Sequence, residues 1–255
     1  PVPFVKEINA LYKELDPSRL TAFATCVDQT HYLGCADLVA WNKYFGWTNS
    51  KQQAAEFFDH ARSTSNNQPV GVSEYGAGAS IHQHASPLNK EAQLPKGFHP
   101  EEYQAICHEG YWEAFAERPY LWAKFIWQFS DMQSSIRKEG DTDGINDKGA
   151  VTYDRKVKKD AFYFYKANWN PEPMLYICSR RFTEHTDAQT LVRVYTNLNE
   201  ATLYINDKKI GKQKKDKVNR IVWDNITLLP GENVIRVEGK SGKKTFTDTC
   251  TWTLK

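Results

Sequence analysis

The sequence predicts an α/β region over residues 1–170, built on a parallel sheet, followed by an all-β sandwich over residues 171–255. Three observations predict it. Up to about residue 170, near-continuous apolar runs alternate with stretches of helical period. Strands buried on both faces read as such runs, and strands separated by helices make a parallel sheet. Beyond about residue 175 short alternating runs are separated by turn residues, with no helical period, as in a small antiparallel sandwich. Pro171-Glu172-Pro173 stands where the two patterns meet.

Taken in order, Phe4, Val5, Ile8, Leu11, Tyr12 and Leu15 recur at helical spacing, and Asp16-Pro17 ends that helix. Strands are expected at 21–26, 37–44, 69–75 and 121–130, with helices at about 51–62, 100–117 and 157–169. The second region offers strands at 190–195, 202–205, 220–223, 233–238 and 245–252. Asn206-Asp207, Pro230-Gly231 and Ser241-Gly242 supply turns between them. Four strands in the first region pose a problem, because an open sheet of buried-type strands leaves hydrophobic edges. A closed α/β barrel takes about eight strands and roughly 250 residues. The expectation is therefore the second half of a (β/α)8 TIM barrel, whose first half lies outside this chain.

Composition narrows the function classes. The chain of 255 residues is 40% hydrophobic and 25% charged, which excludes a collagen or a disordered tail. No apolar run approaches the roughly 20 residues of a membrane span, so no membrane insertion is expected. A net charge of +2 gives no reason to expect nucleic acid as a partner. The charge is uneven: residues 1–170 carry 18 basic and 21 acidic side chains, residues 171–255 carry 15 and 10. Much of that excess is Lys208, Lys209, Lys212, Lys214, Lys215 and Lys217, read as a solvated loop that keeps a strand edge from pairing. Cys26, Cys35, Cys107, Cys178 and Cys250 are widely spaced, which fits buried thiols better than a zinc ribbon or a redox dithiol. The opening Pro1-Val2-Pro3 has neither Met nor a signal peptide, so a processed terminus or a piece of something longer is expected.

In α/β barrels, side chains that do chemistry sit at the C-terminal ends of strands. Glu74 follows the apolar Pro69-Val70-Gly71-Val72, where an unpaired carboxylate is costly to bury, and Gly76, Ala77 and Gly78 leave room after it. An Arg-paired structural carboxylate is the alternative. Trp41, Trp47, Trp127, Tyr44 and Asn42 fall at neighbouring strand ends. They combine flat apolar faces with amide and hydroxyl groups, the mixture a sugar ring calls for. Glycoside hydrolysis uses two carboxylates. Glu74 is one candidate, and Asp131 is either a second or a hydrogen-bonding partner of the sugar. Asp141, Asp143, Asn146 and Asp147 look like a calcium loop only superficially, since the closing bidentate Glu is absent; a solvated loop is expected and no metal is assigned.

Asn42-Lys43-Tyr44-Phe45-Gly46-Trp47, Ser73-Glu74-Tyr75-Gly76, Trp127-Gln128-Phe129-Ser130-Asp131 and the run from Asn146-Asp147-Lys148-Gly149 to Arg155 resemble glycoside hydrolase family 2. This is the family of β-galactosidases, β-glucuronidases and β-mannosidases. Leu15-Asp16-Pro17-Ser18-Arg19 resembles the segment after the family's fourth barrel strand, and the tail resembles an immunoglobulin-like domain that follows the barrel. The resemblance implies a retaining hydrolase, with Glu74 as nucleophile and Tyr44 orienting it. Asn42, Trp47, Trp127, Asp131, Asn146 and Lys148 would bind substrate. No cofactor is implied. The family's general acid/base is a Glu after Asn at the end of the fourth barrel strand, and this chain has no such pair there. The chain alone is therefore expected to be inactive or nearly so, and its partners are a β-linked glycoside or oligosaccharide and the missing N-terminal part of the same protein. The resemblance favours a terminal β-D-galactosyl substrate, with β-glucuronidase as the alternative because Asn146-x-Lys148 has the spacing that β-glucuronidases use to hold a carboxylate. A non-catalytic carbohydrate-binding or structural fragment is the reading from another class. An extracytoplasmic location, periplasmic or secreted, is favoured.

Overall fold

A computed structural model describes residues 1–27, 32–46, 50–86, 95, 97–138 and 140–255. The chain divides into two compact units, one of residues 1–77 with 110–128 and one of residues 78–109 with 129–255.

The first unit contains α1 (Val2–Leu15), β1 (Ala22–Thr25), β2 (Leu38–Asn42), α2 (Ser50–Thr64) and β3 (Val70–Tyr75). It also takes the C-terminal turns of α3 (Glu101–Ala116), and then β4 (Lys124–Ile126). The strands form one sheet in the order β1-β2-β3-β4, every neighbouring pair parallel, as the alternation of apolar runs and helices predicts. Val70 and Val72 of β3 are fully buried. Helix α2 buries Ala54, Phe58 and Ala61, one stripe of a 3.6-residue period. Phe58 meets Phe115 edge-on at 6.1 Å between centroids, and Tyr75 lies 4.9 Å from both Tyr111 and Phe115. Each such side chain contributes about 1.5–3 kcal/mol by leaving water. Helix α1 buries nothing, and its Phe4 and Leu15 are 65% and 73% exposed.

The second unit contains the hairpin of β5 (Met132–Gln133) and β6 (Ile145–Asn146), then α4 (Asp160–Trp169) and eight more strands. These are β7 (Leu175–Ile177), β8 (Glu184–His185), β9 (Gln189–Thr196), β10 (Glu200–Ile205), β11 (Lys208–Lys214), β12 (Arg220–Thr227), β13 (Gly231–Ser241) and β14 (Lys244–Leu254). They make a five-stranded sheet, β11-β10-β13-β14-β8, and a three-stranded one, β12-β9-β7. Val192 and Val194 of β9, Leu203 of β10, Trp223 of β12, Val237 of β13 and Trp252 of β14 belong to one buried cluster, so the two sheets share a core. Alternating burial along β10 and β12 gives each strand one inward face.

Two expectations are corrected. The lysine-rich segment is no loop: β11 pairs antiparallel with β10 and forms the edge of the sheet. Its lysines face solvent, with Lys212 paired to Glu200, and charged edges of this kind discourage pairing with another chain. Nor are the residues around 141–147 uniformly solvated, since Asn146 and Asp147 are buried. Of the cysteines, Cys35, Cys107 and Cys178 are buried as expected, whereas Cys26 is exposed.

Candidate active site

In the first unit, register decides which side chains meet. Asn42 of β2 pairs with Glu74 of β3, and the Lys43 amide donates to the Glu74 carbonyl at 2.8 Å. This carries Tyr44 past the strand end to Glu74, where its hydroxyl donates to Oε2 at 2.7 Å. Glu74 is half-buried and Tyr44 is exposed. The Ser73 hydroxyl donates to Asn42 Oδ1 at 2.7 Å. The Trp127 amide donates to the Tyr75 carbonyl at 2.8 Å, just beyond β4. Asn42, Tyr44, Glu74 and Trp127 thus gather at the C-terminal ends of three adjacent parallel strands. Trp47 lies outside the described residues.

Two aromatic residues differ from expectation. Trp41 is core, 3% exposed, with its indole N–H donating to the Val27 carbonyl. Tyr111 was not anticipated at all. Its hydroxyl donates to the Lys43 carbonyl at 2.8 Å and accepts from the Phe45 amide, which fixes the backbone on both sides of Tyr44. No local pattern around Tyr111 announces that role, because its helical spacing is that of any core residue.

The second unit holds the remaining candidates. Asp131 is buried, and its Oδ1 accepts from the Gly149 amide and from Lys159 Nζ, both at 2.8 Å. Burial pushes the Asp131 carboxyl above its ordinary range, while the Lys159 charge opposes that shift. Lys159 is itself fully buried and went unnoticed within the basic run Arg155-Lys156-Val157-Lys158-Lys159. Asn146 Oδ1 accepts from the Lys148 amide at 3.2 Å, and Lys148 is half-buried. Asp147 Oδ2 faces His99 Nδ1 at 2.7 Å. Gly78, expected to make room for a substrate, makes room for that pair instead. A Cβ there would come within 2.4 Å of Asp147 Oδ1 and 2.6 Å of His99 Nδ1. A cleft of about 360 Å³ opens here, lined among others by Ser80, His82, Asp131, Asp141, Asp147 and Tyr153. Its carboxylates are engaged within the unit, Asp131 by Lys159, Asp147 by His99, Asp141 by Ser80 and Asp154 by Thr152. Among the described residues no three His, Cys, Asp or Glu side chains converge to hold a metal ion. His84 pairs with Glu102 at 3.1 Å and stacks on Phe182.

Comparison with known proteins adds sequence relatives. Residues 187–246 match the family model described as "Domain of unknown function (DUF4982)". A β-glucuronidase of Bacteroides fragilis is 43% identical over 254 residues, 98% of this chain and 36% of that protein. The crystal structure of an FMN-binding β-glucuronidase from Facaelibacterium prausnitzii L2-6 is 32% identical, with a TM-score of 0.88 over all of this chain and 38% of its own. That of a putative β-galactosidase from Bacteroides fragilis is 29% identical, with a TM-score of 0.92 and the same coverage. The chain thus spans little more than a third of the length of these relatives. Its homologues are β-glucuronidases and β-galactosidase-like glycosidases, and its mixed α/β architecture is theirs.

Proposed function

We propose that this chain is the second half of the TIM barrel, residues 1–170, and the immunoglobulin-like domain, residues 171–255, of a family 2 glycoside hydrolase that acts as a retaining β-glucuronidase when complete. The uncovered apolar face of α1 supports the half-barrel reading, since an exposed face of that kind calls for a partner surface. The observation that carries the chemistry is the Tyr44–Glu74 hydrogen bond at adjoining strand ends. Tyr44 holds one carboxylate oxygen, which leaves the other to attack the anomeric carbon. The displaced aglycone oxygen takes its proton from an acid outside this chain, and water later releases the sugar from Glu74. Without that acid, a loss of about 10²–10⁴-fold is expected, so the isolated chain is inactive or nearly so.

For the sugar, a glucuronide is better supported than the galactoside that the sequence favoured. The relative of 43% identity is a β-glucuronidase. The side chains of Asn146 and Lys148 offer an amide and an ammonium, the complement of a uronate carboxylate. The test compares aryl glucuronide and aryl galactoside turnover by the complete protein. Glucuronide turnover is expected to dominate, and Lys148→Ala to collapse the preference. Equal or better galactoside turnover would overturn this specificity.

A further inference from the structure

Lys159 is a fully buried lysine that spends all three of its ammonium protons on separate stretches of chain. Its Nζ donates to the Ala79 carbonyl at 2.7 Å, to Asp131 Oδ1 at 2.8 Å and to the Asp147 carbonyl at 2.9 Å. The Ala79 amide donates to the same Asp147 carbonyl at 3.1 Å. Asp131 Oδ1 also takes the Gly149 amide, and Gln104 Nε2 donates to the Gly149 carbonyl at 3.2 Å. From the side-chain direction, His99 holds Asp147 Oδ2. The residues before and after Lys148 are therefore both pinned, one through Asp147 and the other through Gly149. Gly149 is packed so closely that a Cβ would come within 2.1 Å of the Asp131 amide nitrogen.

Stability alone does not explain this arrangement. A buried ion pair replaced by apolar groups of similar volume often leaves a protein as stable or more so. What an apolar pair cannot do is tie three polar backbone points to one another at fixed distances. We infer that Lys159, Asp131 and His99 are positioning residues that brace the Asn146-Asp147-Lys148 segment and thereby set how tightly the site holds a substrate carboxylate; this rests on the uronate reading above.

The test uses the complete protein and two competitive inhibitors, glucuronic acid and glucose, against an aryl glucuronide. The readout is the ratio of their inhibition constants, which a role confined to folding would leave in place. The double variant Asp131→Asn with Lys159→Met keeps an acceptor for Gly149 and removes both buried charges together, with folding verified by circular dichroism. Its preference for glucuronic acid is expected to fall roughly ten- to hundredfold, as for a misplaced binding group. If that variant does not fold, His99→Ala decides, with a fall of about fivefold expected for one lost hydrogen bond. A change under about twofold in the folded variant, alongside a collapse in Lys148→Ala, overturns the brace and leaves the uronate reading intact. If Lys148→Ala itself leaves the ratio unchanged, the uronate reading fails and the brace falls with it.

Discussion

Glu74 and Asp131 each follow an apolar stretch of sequence, yet their surroundings are opposite. Glu74 is half-buried, and its described hydrogen-bond donor is a single tyrosine hydroxyl, on one oxygen. Asp131 is buried, faces a fully buried ammonium, and accepts two hydrogen bonds on the same oxygen. A carboxylate poised for attack needs an accessible oxygen and a light hand on its orientation. One that organises backbone needs to be dry and fully engaged. Position near a strand end nominates a carboxylate, while its partners decide its task.

Glu74→Gln in the complete protein is expected to lower kcat by roughly 10⁴-fold or more, as for loss of a nucleophile. Its denaturant midpoint should stay near wild type. The reverse pattern, intact turnover with lost stability, would make Glu74 structural. Asp131→Asn should behave oppositely, costing about 3–5 kcal/mol in urea unfolding because Lys159 is left buried without its counter-ion. Adding Lys159→Met should recover much of that loss. No stability difference between the single and double variants would contradict a buried Asp131–Lys159 ion pair.

Tyr44→Phe removes one hydrogen bond to a charged oxygen, so kcat should fall about ten- to hundredfold with substrate affinity little changed. An unaltered kcat would remove Tyr44 from the mechanism. The smallest effect concerns a third carboxylate, Glu102. Burial pulls the His84 imidazole down, but hydrogen bonding and charge from Glu102 outweigh it, and His84 ends above its ordinary value. The folded state therefore binds the proton more tightly than the unfolded chain. The stabilisation is fully present below the unfolded value, near pH 6.5, and is lost as pH rises through the higher folded value. Urea midpoints across that window should decline in wild type, and the decline should shrink in His84→Gln.

Much of this was legible in the sequence for identifiable reasons. The helices and parallel strands of the first 170 residues announce themselves because burial on one stripe or on both faces leaves a periodic trace. Glu74 stands out as a candidate because a carboxylate closing an apolar run is costly to bury unless it is used, whereas Tyr44 is nominated by its strand-end position and by the family resemblance. Strand β11 was not, because an edge strand needs no apolar face and a row of lysines reads as a loop. Lys159 was hidden for a related reason: among neighbouring cations in one basic run, only three-dimensional structure shows which one turns inward. Trp41 and Trp127 look alike as residues at strand ends. Only the packing separates the buried indole from the half-exposed one.

In the proposed reaction Glu74 becomes covalently attached to the sugar, and mass spectrometry detects that bond. The complete protein, treated with a 2-deoxy-2-fluoro glucuronyl fluoride and digested, should carry the sugar on the peptide containing Glu74. The Glu74→Gln variant should carry none. A label on another carboxylate, or labelling that survives Glu74→Gln, would rule out Glu74 as the nucleophile.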